Sequence, residues 1–407
     1  MRILLLSQWY IPEPARLLEE FVTTLQEFGH DVEVLTGFPN YPSGKIFPGY
    51  ALKPWMKETL NGIPVVRTFL FPDHSRSGFK RILNYVSFAF SSAILGKWLT
   101  KKPDVIFVYH PPLTIGFPAI ILSKLWRVPF VYQVQDMWPE TLRATGMLSN
   151  ERVLHLIDVV ARVIYKQADA ICVISPGFRR NLIEKGVPDE KIHVISNWVD
   201  TSVYYPAEPD VELAKKLGLY GKFNIMYGGN IGAAQALDVV LDAADHLRNY
   251  SQIQFVLVGD GVALSYLQKK AQAMDLPNVK FLGRYPASEM VNLYALADVL
   301  LVHLKDDPLF QITIPHKIFA YLASAKPILA AVRGDAADII EKIGAGLVCP
   351  PNDVDSLVNN VLEFWGMSQS ERETMGKLGL QAVQERFNRQ VQVKKLAVVL
   401  DTVVRNR

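Results

Sequence analysis

Glycines at a strand–helix elbow are the first pattern in this chain that could do chemistry. Phe223 to Tyr227 reads as a buried strand; Gly228, Gly229 and Gly232 follow, with Asn230 between them, and a helix is expected from about Gln235 to Leu247. Glycine lets the backbone approach a phosphate, and a helix start presents free N–H groups and a positive dipole end. A second glycine loop, Gly259-Asp260-Gly261, ends the next expected strand. A tight turn without a ligand is the plainer reading of the same residues. Asp136-Met137-Trp138-Pro139-Glu140 follows another buried run. Its two carboxylates could take a proton from an incoming hydroxyl or orient a sugar. Equally, they could stabilise the start of a short helix. His110 stands at a strand end before Pro111-Pro112 and is read either as catalytic or as structural.

The elements that must position these groups alternate through nearly the whole chain. Strands are expected at Arg2–Ser7, Asp31–Thr36, Val65–Phe71, Val105–Tyr109, Phe130–Val134, Ala170–Ile174 and His193–Ile195, with helices between most of them. The second half repeats the plan, with strands at Phe223–Tyr227, Gln254–Val258, Val279–Leu282, Val299–Leu304, Pro327–Ala331 and Gly346–Cys349. Val- and Ile-rich strands flanked by helices predict parallel sheets covered on both faces. The expectation is α/β: two Rossmann-like, doubly wound domains facing a cleft, with ligands beyond the carboxyl ends of the strands. Residues 1–200 form the first domain and 201–386 the second; the polar segment Thr201–Gly221 reads as linker, and 387–407 is a helix able to cross back to the first domain. Strand-end positions add Asn197, Gly259, Gly283 and Arg284 to the candidates. A proline-aromatic loop, Phe38-Pro39-Asn40-Tyr41-Pro42, could stack on sugars or hold an isoprenoid tail, or simply be rigid.

Composition narrows the classes. A net charge of +3 over 407 residues is weak for a nucleic-acid binder, and no nucleic-acid motif is present. Cys172 and Cys349 lie in apolar strand-like runs, which fits a reducing compartment rather than a disulfide framework. No metal is expected: Asp306-Asp307 lacks a third ligand, and no zinc spacing occurs. No stretch reaches the ~18 apolar residues of a spanning helix. The apolar helix Phe79–Leu99 carries Arg76, Lys80 and Arg81 at one end and Lys97, Lys101 and Lys102 at the other. Two readings stand: a helix packed on its sheet, and contact of the basic ends with anionic head groups. The expected location is cytoplasmic, peripheral on the inner membrane face.

The chain resembles retaining glycosyltransferases of family 4, of the two-domain GT-B fold. It is most similar to the branch that builds bacterial O-antigen, colanic-type and other exopolysaccharides. The residues that carry the resemblance include Gln8-Trp9-Tyr10-Ile11-Pro12-Glu13-Pro14, Gly37-Phe38-Pro39-Asn40-Tyr41-Pro42, His110-Pro111-Pro112, Asp136-Met137-Trp138-Pro139-Glu140, Ser196-Asn197-Trp198, Gly229-Asn230-Ile231-Gly232, Pro315-His316-Lys317 and Tyr321-Leu322-Ala323. The resemblance implies a nucleotide-sugar donor, UDP-linked most often, in the second domain. It implies an acceptor in the first, here a lipid-linked saccharide, with no metal and no tightly bound cofactor. Lys317 matches the family lysine beside the leaving diphosphate, and Gly283-Arg284-Tyr285 matches the segment that meets the base. Asp136 and His110 join Lys317 as catalytic candidates; Arg16, Asn40, Tyr41, Glu140 and Asn197 are substrate candidates. The chain departs from the family where Asn230 and Gln235 replace an Arg and a Lys. It departs again at Gln311 and Ala320, where a carboxylate pair is usual. Those departures motivate a non-catalytic partner as an alternative, and a sugar-nucleotide epimerase is a third.

Overall fold

A computed structural model describes residues 1–75 and 77–407. The expectation placed on Arg76 lies outside them. The chain divides into two compact units: Met1–Ser196 with Gln392–Arg407, and Asn197–Val391.

The first unit is built on eight strands: β1 (Arg2–Leu6), β2 (Asp31–Gly37), β3 (Trp55–Leu60), β4 (Ile63–Thr68), β5 (Val105–Tyr109), β6 (Phe130–Val134), β7 (Ala170–Val173) and β8 (Ile192–Val194). Their order is β3-β4-β2-β1-β5-β6-β7-β8. All neighbours are parallel except the edge hairpin β3–β4. That hairpin was not expected. Its signal was available: Asn61 and Gly62, both at positive φ, form the two-residue turn that suits a hairpin's twist. β3 is exposed on alternate residues, so it lacks the continuous apolar run that marks the interior strands. Every residue of β6 is buried, as a strand with both faces covered requires.

The second unit holds β9 (Phe223–Gly228), β10 (Ile253–Val258), β11 (Val279–Gly283), β12 (Val299–His303), β13 (Ile328–Ala331) and β14 (Gly346–Cys349), ordered β11-β10-β9-β12-β13-β14 and parallel throughout. Alternate strand residues feed two cores. Met226, Val256 and Leu300 face one layer, and Ile225, Tyr227, Phe255 and Leu257 face the other.

Two expectations are corrected here. The segment read as linker contains a helix, Val211–Leu217; the Asp210 carboxylate accepts the Glu212 and Leu213 amides at 2.9 and 3.0 Å, and Gly218 closes the helix in the left-handed region. The prolines at 206 and 209 lie before this helix and do not interrupt it. Replacing Asp210 by Ala is expected to lower stability by about 1 kcal/mol, the usual worth of such a cap; an unchanged urea midpoint would mean the helix contributes nothing. The helix expected from Gln235 is also shifted. A 3₁₀ turn occupies Ala233–Gln235, and the α-helix runs Asp238–His246.

Candidate active site

The carboxyl ends of β9, β10 and β11 are level in the second unit. Gly228 pairs with Val258, and Val258 with Gly283. Beyond those ends lies a cavity of about 570 Å³, lined among others by Gly229, Asn230, Gly259, Asp260, Arg284 and Tyr285. That volume falls in the range of small-molecule sites. Tyr204 and Tyr294 also line it, their rings stacked with centroids 6.2 Å apart. Neither was a candidate from the sequence, because Tyr204 fell in the supposed linker and Tyr294 in a helix with no motif. Gly283 shapes the floor by accepting the Gly259 amide at 2.8 Å.

The glycines earn their places by close packing of main chain on main chain. A Cβ on Gly259 (φ +144) would lie 1.8 Å from the Gly229 carbonyl oxygen, and one on Gly261 (φ +157) would lie 2.3 Å from that of Ile231. The two loops therefore interlock, which no other residue type permits. Lys317 sits in the first turn of the helix His316–Ala323. Its Nζ lies 3.6 Å from the centre of the Tyr227 ring and 3.2 Å from where a Gly229 Cβ would stand. The ammonium is buried and has no hydrogen-bond partner among the described residues. Burial pushes its pKa down to about 7. Tyr321 anchors the elbow from below: its hydroxyl accepts the Gly228 amide at 2.8 Å.

Gly232 and Gln235, expected among the donor ligands, are bonded to each other inside the elbow. The Gln235 Oε1 accepts the Gly232 amide at 3.0 Å and the Asn230 amide group at 3.4 Å. The Gly232 N–H is thus already used inside the loop. Ala320 is buried in the core, so no ribose-holding side chain projects from that position. Gln311 is half-buried, its amide 3.5 Å from Asp306.

In the first unit, Trp9, Tyr41, His110 and Trp138 stand where β1, β2, β5 and β6 run out. Asp136 is half-buried, its carboxylate bonded to no described residue, and burial raises its pKa. Burial that disfavours the charged form makes a carboxylate a stronger proton acceptor. It does not cap the short helix Glu140–Ala144, whose start has no side-chain bond. Glu140 is engaged instead: Lys185 Nζ lies 2.7 Å from Oε1, and Asn181 donates at 3.3 Å. His110 is buried, with both ring nitrogens unpartnered among the described residues. Burial lowers its pKa to about 3, so the imidazole is neutral.

Asn40 is corrected as a substrate ligand. It is 2% exposed, its Nδ2 donates to the Phe38 carbonyl at 3.0 Å, and its Oδ1 accepts from Asn84 at 3.3 Å. Tyr41 remains half-buried, its ring 5.0 Å from that of Trp9. Arg16 is held by Glu20 at 3.0 Å, one turn along its helix. Asn197 is half-buried and opens the second unit. Sequence reasoning missed Glu13 as a site residue. Its buried carboxylate accepts the Tyr10, Asn40 and Tyr41 amides at 3.1, 2.9 and 2.9 Å, tying the two aromatic loops together. Burial is the main cause that pushes its pKa up to about 7. Among the described residues, no cluster of three His, Cys, Asp or Glu could hold a metal ion.

Two α/β units on mainly parallel sheets, one with a cavity at its strand ends, have the GT-B fold. Residues 14–198 match the glycosyl transferase 4-like domain, and 222–366 match glycosyl transferases group 1. The chain belongs to this glycosyltransferase family and is a transferase of that class. It is 30% identical over 375 residues to the putative colanic acid biosynthesis glycosyl transferase WcaI of Escherichia coli K12, covering 89% of this chain and 91% of that one. It is 26% identical over 339 residues to the probable glycosyltransferase WbjE of Pseudomonas aeruginosa, covering 81% and 82%. In fold it is similar to sucrose-phosphate synthase from Thermosynechococcus elongatus (TM-score 0.76, 17% identity, 100% of both chains). It is also similar to Anabaena Alr3699/HepE solved with UDP (TM-score 0.74, 18% identity, 99% of this chain and 100% of that one).

Proposed function

We propose that this glycosyltransferase moves a sugar from a UDP-sugar to a lipid-linked saccharide during bacterial surface polysaccharide synthesis, with retention at the anomeric carbon. One observation carries the reading: a buried ammonium with no partner among the described residues, Lys317 Nζ, stands against the glycine elbow at the strand ends. An unpartnered buried charge is costly, and an incoming diphosphate satisfies it. The bond between the anomeric carbon and the diphosphate oxygen breaks as the acceptor oxygen bonds to that carbon. Lys317 offsets charge on the departing UDP, which is where stabilisation counts most. The acceptor proton passes to the leaving diphosphate, with Asp136 as the protein group able to assist. Arg284 and Tyr285 meet the base side of the donor. HepE, solved with UDP and with UDP-glucose, supports the choice of base. Roles in exopolysaccharide and O-antigen synthesis in the names of relatives support the acceptor class.

The membrane reading joins this proposal. No helix among the described residues is long and apolar enough to cross a bilayer. Lys80, Arg81, Lys97, Lys101 and Lys102 flank the exposed apolar side of Gly78–Leu99, a helix without an acidic residue. Changing Lys80 and Lys97 to Glu is expected to weaken binding to phosphatidylglycerol vesicles by about 1 kcal/mol per site or more, with a shallower salt dependence. Equal binding by the variant would remove these lysines from the contact.

The deciding assay uses purified protein, a panel of UDP-, GDP- and dTDP-sugars, and a lipid-linked saccharide. UDP release from one UDP-sugar only when the acceptor is present is the expected result. Folded protein that releases no nucleotide across the panel would overturn the reading.

A further inference from the structure

Two buried ions join the same two loops of the first unit. One loop, 7–15, lies between β1 and the helix Arg16–Glu27; the other, 38–50, follows Gly37 at the end of β2. The Glu13 carboxylate accepts the Tyr10 amide on Oε2 at 3.1 Å, and the Asn40 and Tyr41 amides on Oε1, both at 2.9 Å. The Arg67 guanidinium, on β4, donates to the Ile11 and Gly37 carbonyls at 2.5 and 2.9 Å, and to Glu58. One ion therefore takes N–H groups from both sides of the junction, and the other takes carbonyls from both sides. What they fix is not core. The Trp9 and Tyr41 rings, the first next to Tyr10 in the chain and the second on a bonded residue, stand 5.0 Å apart and half-buried.

The three groups bonded to Glu13 are all donors, so they hold the ion and not the acid. Two N–H groups occupy the lone pairs of Oε1, which leaves Oε2 as the oxygen that takes a proton. A protonated oxygen is a poor acceptor. The Tyr10 amide then loses its partner, while Asn40 and Tyr41 keep theirs. A buried N–H without an acceptor is costly, so the backbone at Tyr10 shifts and carries Trp9 with it. The neighbours do not take up this role. Arg67 is the charged group that acts on Glu13; it favours the carboxylate, and Glu58 holds it in place. Tyr109, from β5, lines a small cavity with Glu13, and burial keeps its hydroxyl and that of Tyr10 protonated. Glu19, on the helix Arg16–Glu27, acts on Tyr10 in the same direction. His74 packs on the Tyr41 ring at 4.7 Å, and burial lowers its pKa from the usual histidine value.

We infer that Glu13, as the carboxylate ion, is the positioning residue for the Trp9–Tyr41 ring pair, and that a proton on its Oε2 loosens Trp9 from Tyr41 and weakens the hold on the acceptor. The inference rests on the transferase reading above, with Tyr41 as an acceptor contact, and adds the group that sets that contact. Glu13 acts through the backbone of Tyr10 and Tyr41, not by touching the sugar. The latch is closed above the pKa of Glu13, about 7, and opens below it. Its effect falls on acceptor KM, whereas that of Asp136 falls on turnover.

Hydrogen exchange read by mass spectrometry tests the latch without any substrate. After correction for the intrinsic effect of pH, wild-type segment 8–14 should lose about tenfold in protection between pH 8 and pH 6, and segment 38–42 less. The buried strand Phe130–Val134 should not change. In Glu13→Gln the amide oxygen serves Asn40 and Tyr41, and the amide nitrogen, a donor, meets the Tyr10 N–H. This variant should be poorly protected over 8–14 at both pH values. Glu13→Asp keeps the charge and should keep the pH dependence. The same proteins are then assayed with the lipid-linked saccharide and a UDP-sugar. Wild-type acceptor KM should rise as pH falls from 8 to 6. Glu13→Gln should raise that KM by about tenfold at pH 8, lower kcat by about threefold or less, and leave KM flat with pH. A residue that only supported the fold would lower kcat and melting temperature together and leave the pH dependence of KM in place. The inference fails if wild-type 8–14 is equally protected at pH 6 and 8, a result that needs no variant to fold. It fails equally if Glu13→Gln keeps the wild-type pH dependence of KM. Protein whose exchange switches but which transfers no sugar would sink the transferase reading alone; protein that transfers sugar without the switch would sink this inference alone.

Discussion

Replacing Lys317 by Met is expected to make the protein more stable and worse at holding UDP. The ammonium is buried without an acceptor among the described residues, and its pKa is depressed to about 7 by burial. An unfolded lysine titrates near ~10.4, so the unfolded chain binds more protons than the folded one between about 7 and 10.4. In that window stability rises with pH; below it the penalty of the buried charge is complete and flat. Met removes the charge but keeps the volume. The gain near pH 7 is expected at about 2–4 kcal/mol, less than the full shift implies, because solvent screening and loss of the Tyr227 ring contact reduce it. UDP affinity should fall by about 1.5–3 kcal/mol, the worth of a hydrogen bond to a charged group. Wild-type affinity for UDP should weaken as pH rises above about 7, since binding then requires proton uptake. Thermal melts and calorimetry at pH 6, 7 and 9 check all three signs. A variant that is no more stable and binds UDP as the wild type does would remove Lys317 from the site.

Asp136→Asn is expected to lower turnover by about 10²-fold or more, the lower end for loss of a positioned proton acceptor. Affinity for the donor should scarcely change, because the donor cavity draws on other residues. The raised pKa of Asp136 adds a second signature. Its carboxylate is lost to protonation earlier than an ordinary aspartate's as pH falls, so the acidic limb of the rate profile should vanish in the variant. His110 should contribute no limb near neutrality, since its pKa lies at about 3. Initial rates against pH, with UDP affinity measured in parallel, separate these outcomes. Equal loss of turnover and affinity would make Asp136 a scaffold residue.

The strands were legible because interior parallel strands are continuous apolar runs, and Phe130–Val134 is the clearest of them. The glycine elbow was legible for a similar reason: Gly229 and Gly259 must approach each other's backbone. What the sequence hid depends on partners far along the chain. Nothing near Asn40 announces that Asn84 will hold its side chain, and nothing near Glu140 announces Lys185. The Gly232 amide is used by Gln235, three residues on, a loop detail that spacing alone does not distinguish from a phosphate contact. The hairpin at Asn61-Gly62 and the helix after Asp210 were different failures. Their local signals were present, and a polar surrounding outweighed them.

The interlocked loops at Gly229 and Gly259 bear on how nucleotide preference can change over evolution or by engineering. Main chain packed at such close quarters tolerates no side chain, so that part of the wall is fixed. The part with room to change is the stretch from Arg284 to Met290, which borders the same space and is mostly open to solvent. Exchanging that stretch is the route by which one scaffold would come to accept a different base.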